Sequence, residues 1–83
     1  MNRPLEELER VGTLVVHHLG TDEIREVALD NEEGIEYVAT SLQNLGLAEG
    51  YTVYKGPYHH EGGQITQLPL ATPEERAKLE AYL

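Results

Sequence analysis

The side chains best equipped for chemistry in these 83 residues are carboxylates and imidazoles. Fifteen Asp and Glu stand against six Lys and Arg, a net charge of −9. Eight of the acids (Asp22, Glu23, Glu26, Asp30, Glu32, Glu33, Glu36 and Glu49) fall between residues 20 and 50, where Arg25 is the one cation. Paired carboxylates act as general acid and base when their surroundings tune their proton affinities, and that tuning is seldom met on a helix face open to water. Two histidine pairs, His17-His18 and His59-His60, suggest metal binding. Zinc ligands within a segment usually recur at roughly two- to five-residue spacing, and adjacent residues point apart on a helix or a strand. The chain has no Cys, and Glu61 is the acid beside the second pair. His17 therefore reads as an exposed helix residue, His18 as a partly buried one, and His59-His60 as a polar loop tip. Ser41 is the only Ser and lacks the strand-to-helix elbow of a hydrolase nucleophile. Gly62-Gly63 lacks the Lys and the spacing of a phosphate loop. The expectation is a protein that is not an enzyme, with no metal and no cofactor.

What remains is contact chemistry. Tyr54-Lys55-Gly56-Pro57-Tyr58-His59-His60 sets aromatics, one Lys and two His beside glycines, a mixture that can stack on bases or line a protein interface. Five Tyr supply all the aromatic bulk, with neither Trp nor Phe. A core that lean gains from a partner or a second copy. The length predicts one domain over residues 1–83, with 40% hydrophobic and 25% charged residues, as in soluble globular proteins. No apolar run approaches the roughly 20 residues of a membrane span, and no signal-peptide pattern opens the sequence, so a cytoplasmic location is expected.

The elements that must position these groups follow from apolar spacing and caps. Leu5, Leu8, Val11, Val15 and Leu19 recur at near-helical intervals after Pro4, predicting one helix that ends at Gly20. The rival pattern ends that helix near Val11 and makes Thr13 to Leu19 a strand, as the β-branched run invites. Thr21 or Asp22 caps a short second helix with Ile24, Val27 and Ala28 on one face; its rival is a strand, Ile24 to Leu29, paired with Thr13 to Leu19. Asp30 and Glu33 have capping-box spacing ahead of Ile35, Val38, Leu42 and Leu45, a clear amphipathic helix. Gly46 is its left-handed cap, with Leu47 folding back. Tyr51 to Lys55 and Ile65 to Leu70 read as two hairpin strands around a long turn. Thr72-Pro73-Glu74-Glu75 opens a last helix to Leu83, with Ala77, Leu79, Tyr82 and Leu83 available for burial.

The order helix, turn, helix, hairpin resembles winged helix-turn-helix transcriptional regulators. The segment EEGIEYVATSLQNLGLAEGYTVY is similar to their second helix entering the wing. QLPLATPEERAKLEAYL is similar to the second wing strand and the C-terminal helix. The likeness covers most of the chain as a pattern of apolar positions and caps. It implies an α+β fold of three helices, a β-hairpin wing and a C-terminal helix; the alternative arrangement is β-β-α-β-β-α. It also implies DNA contacts from Glu33, Glu36, Tyr37, Thr40, Ser41 and Asn44 and from the wing.

The charge map departs from that family pattern. Attraction to DNA comes from cations that release counterions, and this helix carries none. The favoured expectation is therefore protein contact in transcription regulation or a related nucleic-acid process, as adaptor, inhibitor or DNA mimic. Its docking residues would be Glu32, Glu33, Glu36, Tyr37, Thr40 and Asn44. Lys55, Tyr58, His59 and His60 would form a second contact at the wing. The partner would be a basic protein surface, such as transcription machinery or another DNA-binding protein. The alternative is a DNA-binding regulator, and a homodimer on the first and last helices fits either.

Overall fold

Consecutive β-branched side chains crowd a helix and fit a pleated strand, and the segment Thr13–His18 is a strand, β1, in the computed structural model of the chain. The structure describes residues 12–58 and 64–83. After β1 the chain reverses through residues 19–23. The His18 N–H donates to the Glu23 carbonyl at 2.9 Å and the Asp22 N–H to the His18 carbonyl at 2.8 Å. Asp22 takes φ 62°, a left-handed conformation that Asp tolerates better than most residues. Ile24–Ala28 then returns as β2, antiparallel to β1, with Leu14 opposite Val27 and Val16 opposite Arg25.

This strand pair replaces two expected helices. Over residues 13–18 the predicted helix from Pro4 to Gly20 is a strand, and its earlier part, through Val11, lies outside the described residues. The predicted second helix is β2. Two helices remain among the described residues, α1 (Glu32–Leu45) and α2 (Pro73–Glu80). The fold is α+β, but it is not a winged helix-turn-helix.

α1 forms where the apolar spacing places it. Ile35, Val38, Ala39 and Leu42 are buried on one face. Each of the larger three gains about 1.5–3 kcal/mol on leaving water. Its cap is Asn31 rather than the expected Asp30, the Asn31 side chain accepting the Gly34 N–H at 3.0 Å. Gly46 ends the helix at φ 108°, a conformation costly for any residue with a Cβ, and its N–H reaches the Leu42 carbonyl at 3.0 Å. Leu47 follows the cap directly. It starts a short 3₁₀ turn, Leu47–Glu49, and stays 40% exposed.

Tyr51–Lys55 is β3, but its antiparallel partner is β1, with Val16 opposite Val53, so the sheet order is β2-β1-β3. The expected second wing strand does not form. Ile65–Gln67 is a 3₁₀ turn in which the Gln64 N–H donates to the Gln67 side chain at 3.3 Å. Beyond it, Leu70 makes a single bridge to Tyr54, flanked by hydrogen bonds from Lys55 N–H to the Pro69 carbonyl (2.8 Å) and from Ala71 N–H to the Val53 carbonyl (3.0 Å). Pro69 has no N–H to extend a ladder. The β-β-α-β-β-α alternative therefore shares the β1–β2 pair with the structure and differs at this fourth strand.

α2 opens with the capping box that the sequence predicts. The Thr72 hydroxyl accepts the Glu75 N–H at 3.2 Å, and the Glu75 carboxylate accepts the Thr72 N–H at 2.9 Å. The helix stops at Glu80, short of Leu83, and buries only Leu79; Ala77, Tyr82 and Leu83 are exposed. The expected homodimer surface changes accordingly, because Leu79 is spent inside the chain and residues 13–18 are in the sheet.

Both helices pack on one sheet face, where Leu14, Val16, Val27 and Val53 meet Ile35, Val38, Ala39, Leu42 and Leu79. The alternate residues Thr13, Val15, Ala28 and Tyr54 are buried on the opposite face. Gly56 lies against that face so closely that a Cβ there would sit 2.7 Å from Val15 Cγ2. No helix among the described residues is long and apolar enough to cross a membrane.

Candidate protein-contact face

With its apolar face on the sheet, α1 turns Glu32, Glu33, Glu36, Tyr37, Thr40 and Asn44 outward, and all six are exposed. Glu32 and Glu33 occupy the first turn, where the partial positive charge of the helix amino end stabilises a carboxylate. Glu36 follows one turn later, beside Tyr37. Among the described residues none of these three carboxylates has an ion-pair partner. Tyr37 is 69% exposed, more than any other large hydrophobic residue described. The hydroxyls are less free than the sequence suggests. Thr40 Oγ1 donates to the Glu36 carbonyl and Ser41 Oγ to the Tyr37 carbonyl, each at 3.0 Å, which commits their hydrogens to the helix backbone.

The second expected contact is not joined to this face. Lys55 is exposed at the end of β3. The Tyr58 N–H points at Glu26 Oε2 of β2, 3.4 Å away, and Tyr58 is half-buried. Glu26 pairs in register with Val15, so Tyr58 sits against the sheet face that α1 does not cover. His59 and His60 lie outside the described residues.

The first histidine pair is used structurally. His17 Nε2 bonds to the Asp22 carboxylate. His18, only 1% exposed, accepts the Thr21 N–H at Nδ1 (3.1 Å), so its hydrogen is on Nε2 and donates to the Gly46 carbonyl at 2.8 Å. The Thr21 hydroxyl is 2.9 Å from Nδ1, and Glu49 Oε2 is 3.6 Å from Nε2. This imidazole ties the end of β1 to the carboxyl-terminal cap of α1. Among the described residues no group of three His, Asp or Glu is arranged to hold a metal.

A polar cluster that the sequence analysis missed seats α2 on β3. The Tyr51 hydroxyl donates to Glu80 Oε2 at 2.8 Å, Arg76 Nε pairs with the same oxygen at 3.2 Å, and the guanidinium lies 5.3 Å from the Tyr51 ring centre. Burial, then the Glu80 carboxylate, pushes the Tyr51 phenol above its ordinary value. The Tyr51 hydrogen bond, with help from Arg76, holds Glu80 below the usual carboxylate range. Glu80 in turn raises Arg76. The i,i+4 spacing of Arg76 and Glu80 was legible as a helix pair; nothing local marked Tyr51 as the third member.

Between the amino end of α1 and the carboxyl end of α2 lies a half-open groove of about 240 Å³, lined by Leu29, Glu32, Ile35, Lys78, Ala81 and Tyr82. Comparison of the chain with protein families, characterised proteins and solved structures finds no match.

Proposed function

We propose that the chain is a small acidic contact module that docks the outer face of α1 on a basic surface of another protein. The observation that carries this reading is the carboxylate stripe Glu32, Glu33 and Glu36, without an ion-pair partner among the described residues, beside the exposed ring of Tyr37. Such a stripe steers a cationic surface toward it over about a Debye length, roughly 10 Å at 0.1 M salt. Tyrosine is among the residues that carry most binding energy once water is excluded. Charge supplies the encounter and orientation, and Tyr37 the desolvated centre. Thr40 and Asn44 extend the face toward the end of the helix. The same stripe repels a phosphate backbone, which favours protein over DNA as the partner. The expected setting in transcription belongs to the winged-helix pattern, which the fold does not have, so the chemistry of the face alone identifies the partner.

The test is capture from lysate of the source cell, with and without nuclease, comparing the native chain with a Glu33→Lys, Glu36→Lys double variant. Both positions are exposed, so the fold should persist, with Glu36→Lys moving stability by no more than about 0.5 kcal/mol and Glu33→Lys costing about 1–2 kcal/mol at the helix amino end. A nuclease-resistant partner held by the native chain and lost by the variant supports the reading. Undiminished capture by the variant sinks it.

A further inference from the structure

The groove beside the acidic stripe has an apolar floor and charged rims. Ile35 is buried at its base, Leu29 and Ala81 line it, and Tyr82, 39% exposed, forms one wall. An apolar cavity of about 150 Å³ holds a benzene-sized group. The groove's 240 Å³ therefore has room for one large side chain. It falls short of the roughly 300 Å³ at which drug-sized ligand sites begin. Glu32 and Lys78 stand on the rim, and neither has an ion-pair partner among the described residues.

Charge decides what fills it. On the α1 side Glu32 runs on into Glu33 and Glu36, with no cation on that helix. A second copy of the chain would bring its own charge of −9 and the same acidic turn, and the two would repel at contact range. A cationic segment meets the opposite field. We infer that the groove seats one large apolar side chain from a lysine- or arginine-rich amphipathic segment of the partner. The cations of that segment lie along Glu32, Glu33 and Glu36, and its polar backbone end faces Lys78. The inference rests on the acidic-face reading and adds the anchor that gives a charged encounter a defined register, as in helix-in-groove recognition.

Two synthetic peptides separate the two claims, a helical Lys/Ala peptide and the same peptide with one central Ala replaced by Phe. Binding is followed by titration with amide chemical shifts. Burying a Phe contributes about 1.5–3 kcal/mol, so the Phe peptide should bind at least about tenfold more tightly. Its added shifts should centre on Leu29, Ile35 and Ala81. Ala81→Phe, at an exposed position, fills the groove from within. It should erase the tenfold gain and leave Lys/Ala binding unchanged. If that variant does not fold, the shift map on the native chain decides, Leu29, Ile35 and Ala81 being read against Val15 and Thr52. Equal binding of the two peptides overturns the groove and leaves the acidic face standing. Binding of neither overturns both. Self-association that buries Leu29 and Tyr82, seen by sedimentation, assigns the groove to a second copy and overturns the inference.

Discussion

α1 and α2 lie on the same face of the sheet and are held there by different forces. α1 is fastened by four buried apolar side chains, Ile35, Val38, Ala39 and Leu42. α2 buries Leu79 alone and adds polar fastenings, the Thr72–Glu75 capping box and the Tyr51–Arg76–Glu80 cluster. Burial is non-directional and indifferent to pH, so α1 can offer its whole outer face to a partner without weakening its own attachment. Polar fastenings are directional, exposed and titratable. α2 is therefore the part of the described structure that conditions can loosen, and it forms one wall of the groove.

The largest effect that separates the helices comes from removing one leucine from each. Leu42→Ala and Leu79→Ala each delete a side chain no more than 1% exposed, and each should cost about 2–5 kcal/mol. Their consequences should differ in extent. Leu42→Ala opens the centre of the core and lowers the protection of every strand and helix together. Leu79→Ala removes the one apolar attachment of α2, so hydrogen exchange should accelerate at Ala81, whose N–H bonds to the Ala77 carbonyl, while the amides of α1 stay protected. Uniform loss of protection in the Leu79 variant would erase the distinction.

A smaller effect sharpens it. Thr72→Ala and Asn31→Ala each remove a cap that accepts one helix N–H, at about 1 kcal/mol apiece. For α1 that loss is a minor part of its attachment and should appear only as a small drop in melting temperature. For α2 it is a major part, and exchange at Ala81 and Tyr82 should rise well before global unfolding. If Asn31→Ala loosens α1 locally to the same degree, burial is not what holds that helix.

The same contrast explains what the sequence disclosed. α1 was legible because Ile35, Val38 and Leu42 repeat on one face and Gly46 closes it, local signals that tertiary structure only confirms. The start of α2 was legible from Thr72-Pro73-Glu74-Glu75, whose geometry is contained in four residues. Residues 13–29 were not. Thr13, Leu14, Val15 and Val16 are all buried, because both sheet faces are covered at β1, and that removes the period-two alternation that marks a half-buried strand. In β2, Ile24, Val27 and Ala28 imitate a helical face over five residues, too few to distinguish the two periods. The outward residues of α1 could be named in advance. The separation of Tyr58 from them could not, since it depends on β3 pairing with β1, a contact made across more than thirty residues. His18 with Gly46 and Tyr51 with Glu80 are also remote in sequence, 28 and 29 residues apart, and no local pattern marks either pair.

The smallest effect is the one by which pH alone should separate the helices. Glu80 and Glu75 both titrate below the usual carboxylate value, Glu80 chiefly through Tyr51 and Glu75 chiefly through the Thr72 N–H. A carboxyl whose affinity for protons is lower in the folded chain binds more protons when unfolded. Its contribution is therefore complete above the ordinary value of 4.5 and is lost as pH falls through the lowered folded values. Tyr51 shifts the other way. Its contribution is complete below 10.0 and is lost as pH rises through the raised folded value, where the ionised phenol no longer donates to Glu80. α2 should thus be held most firmly between these limits and loosen at both ends, by a modest amount because the cluster is solvent-screened. The check is the chemical shift and exchange of Ala81 and Tyr82 at about pH 3, 7 and 11, with Val38 and Leu42 as internal references. Glu80→Gln should flatten the acid limb toward the part that Glu75 contributes, because an amide still accepts the Tyr51 hydroxyl but does not titrate. An acid limb unchanged by Glu80→Gln would mean that Glu80 contributes nothing to it, and that the cap rather than the tyrosine cluster governs the seat of α2.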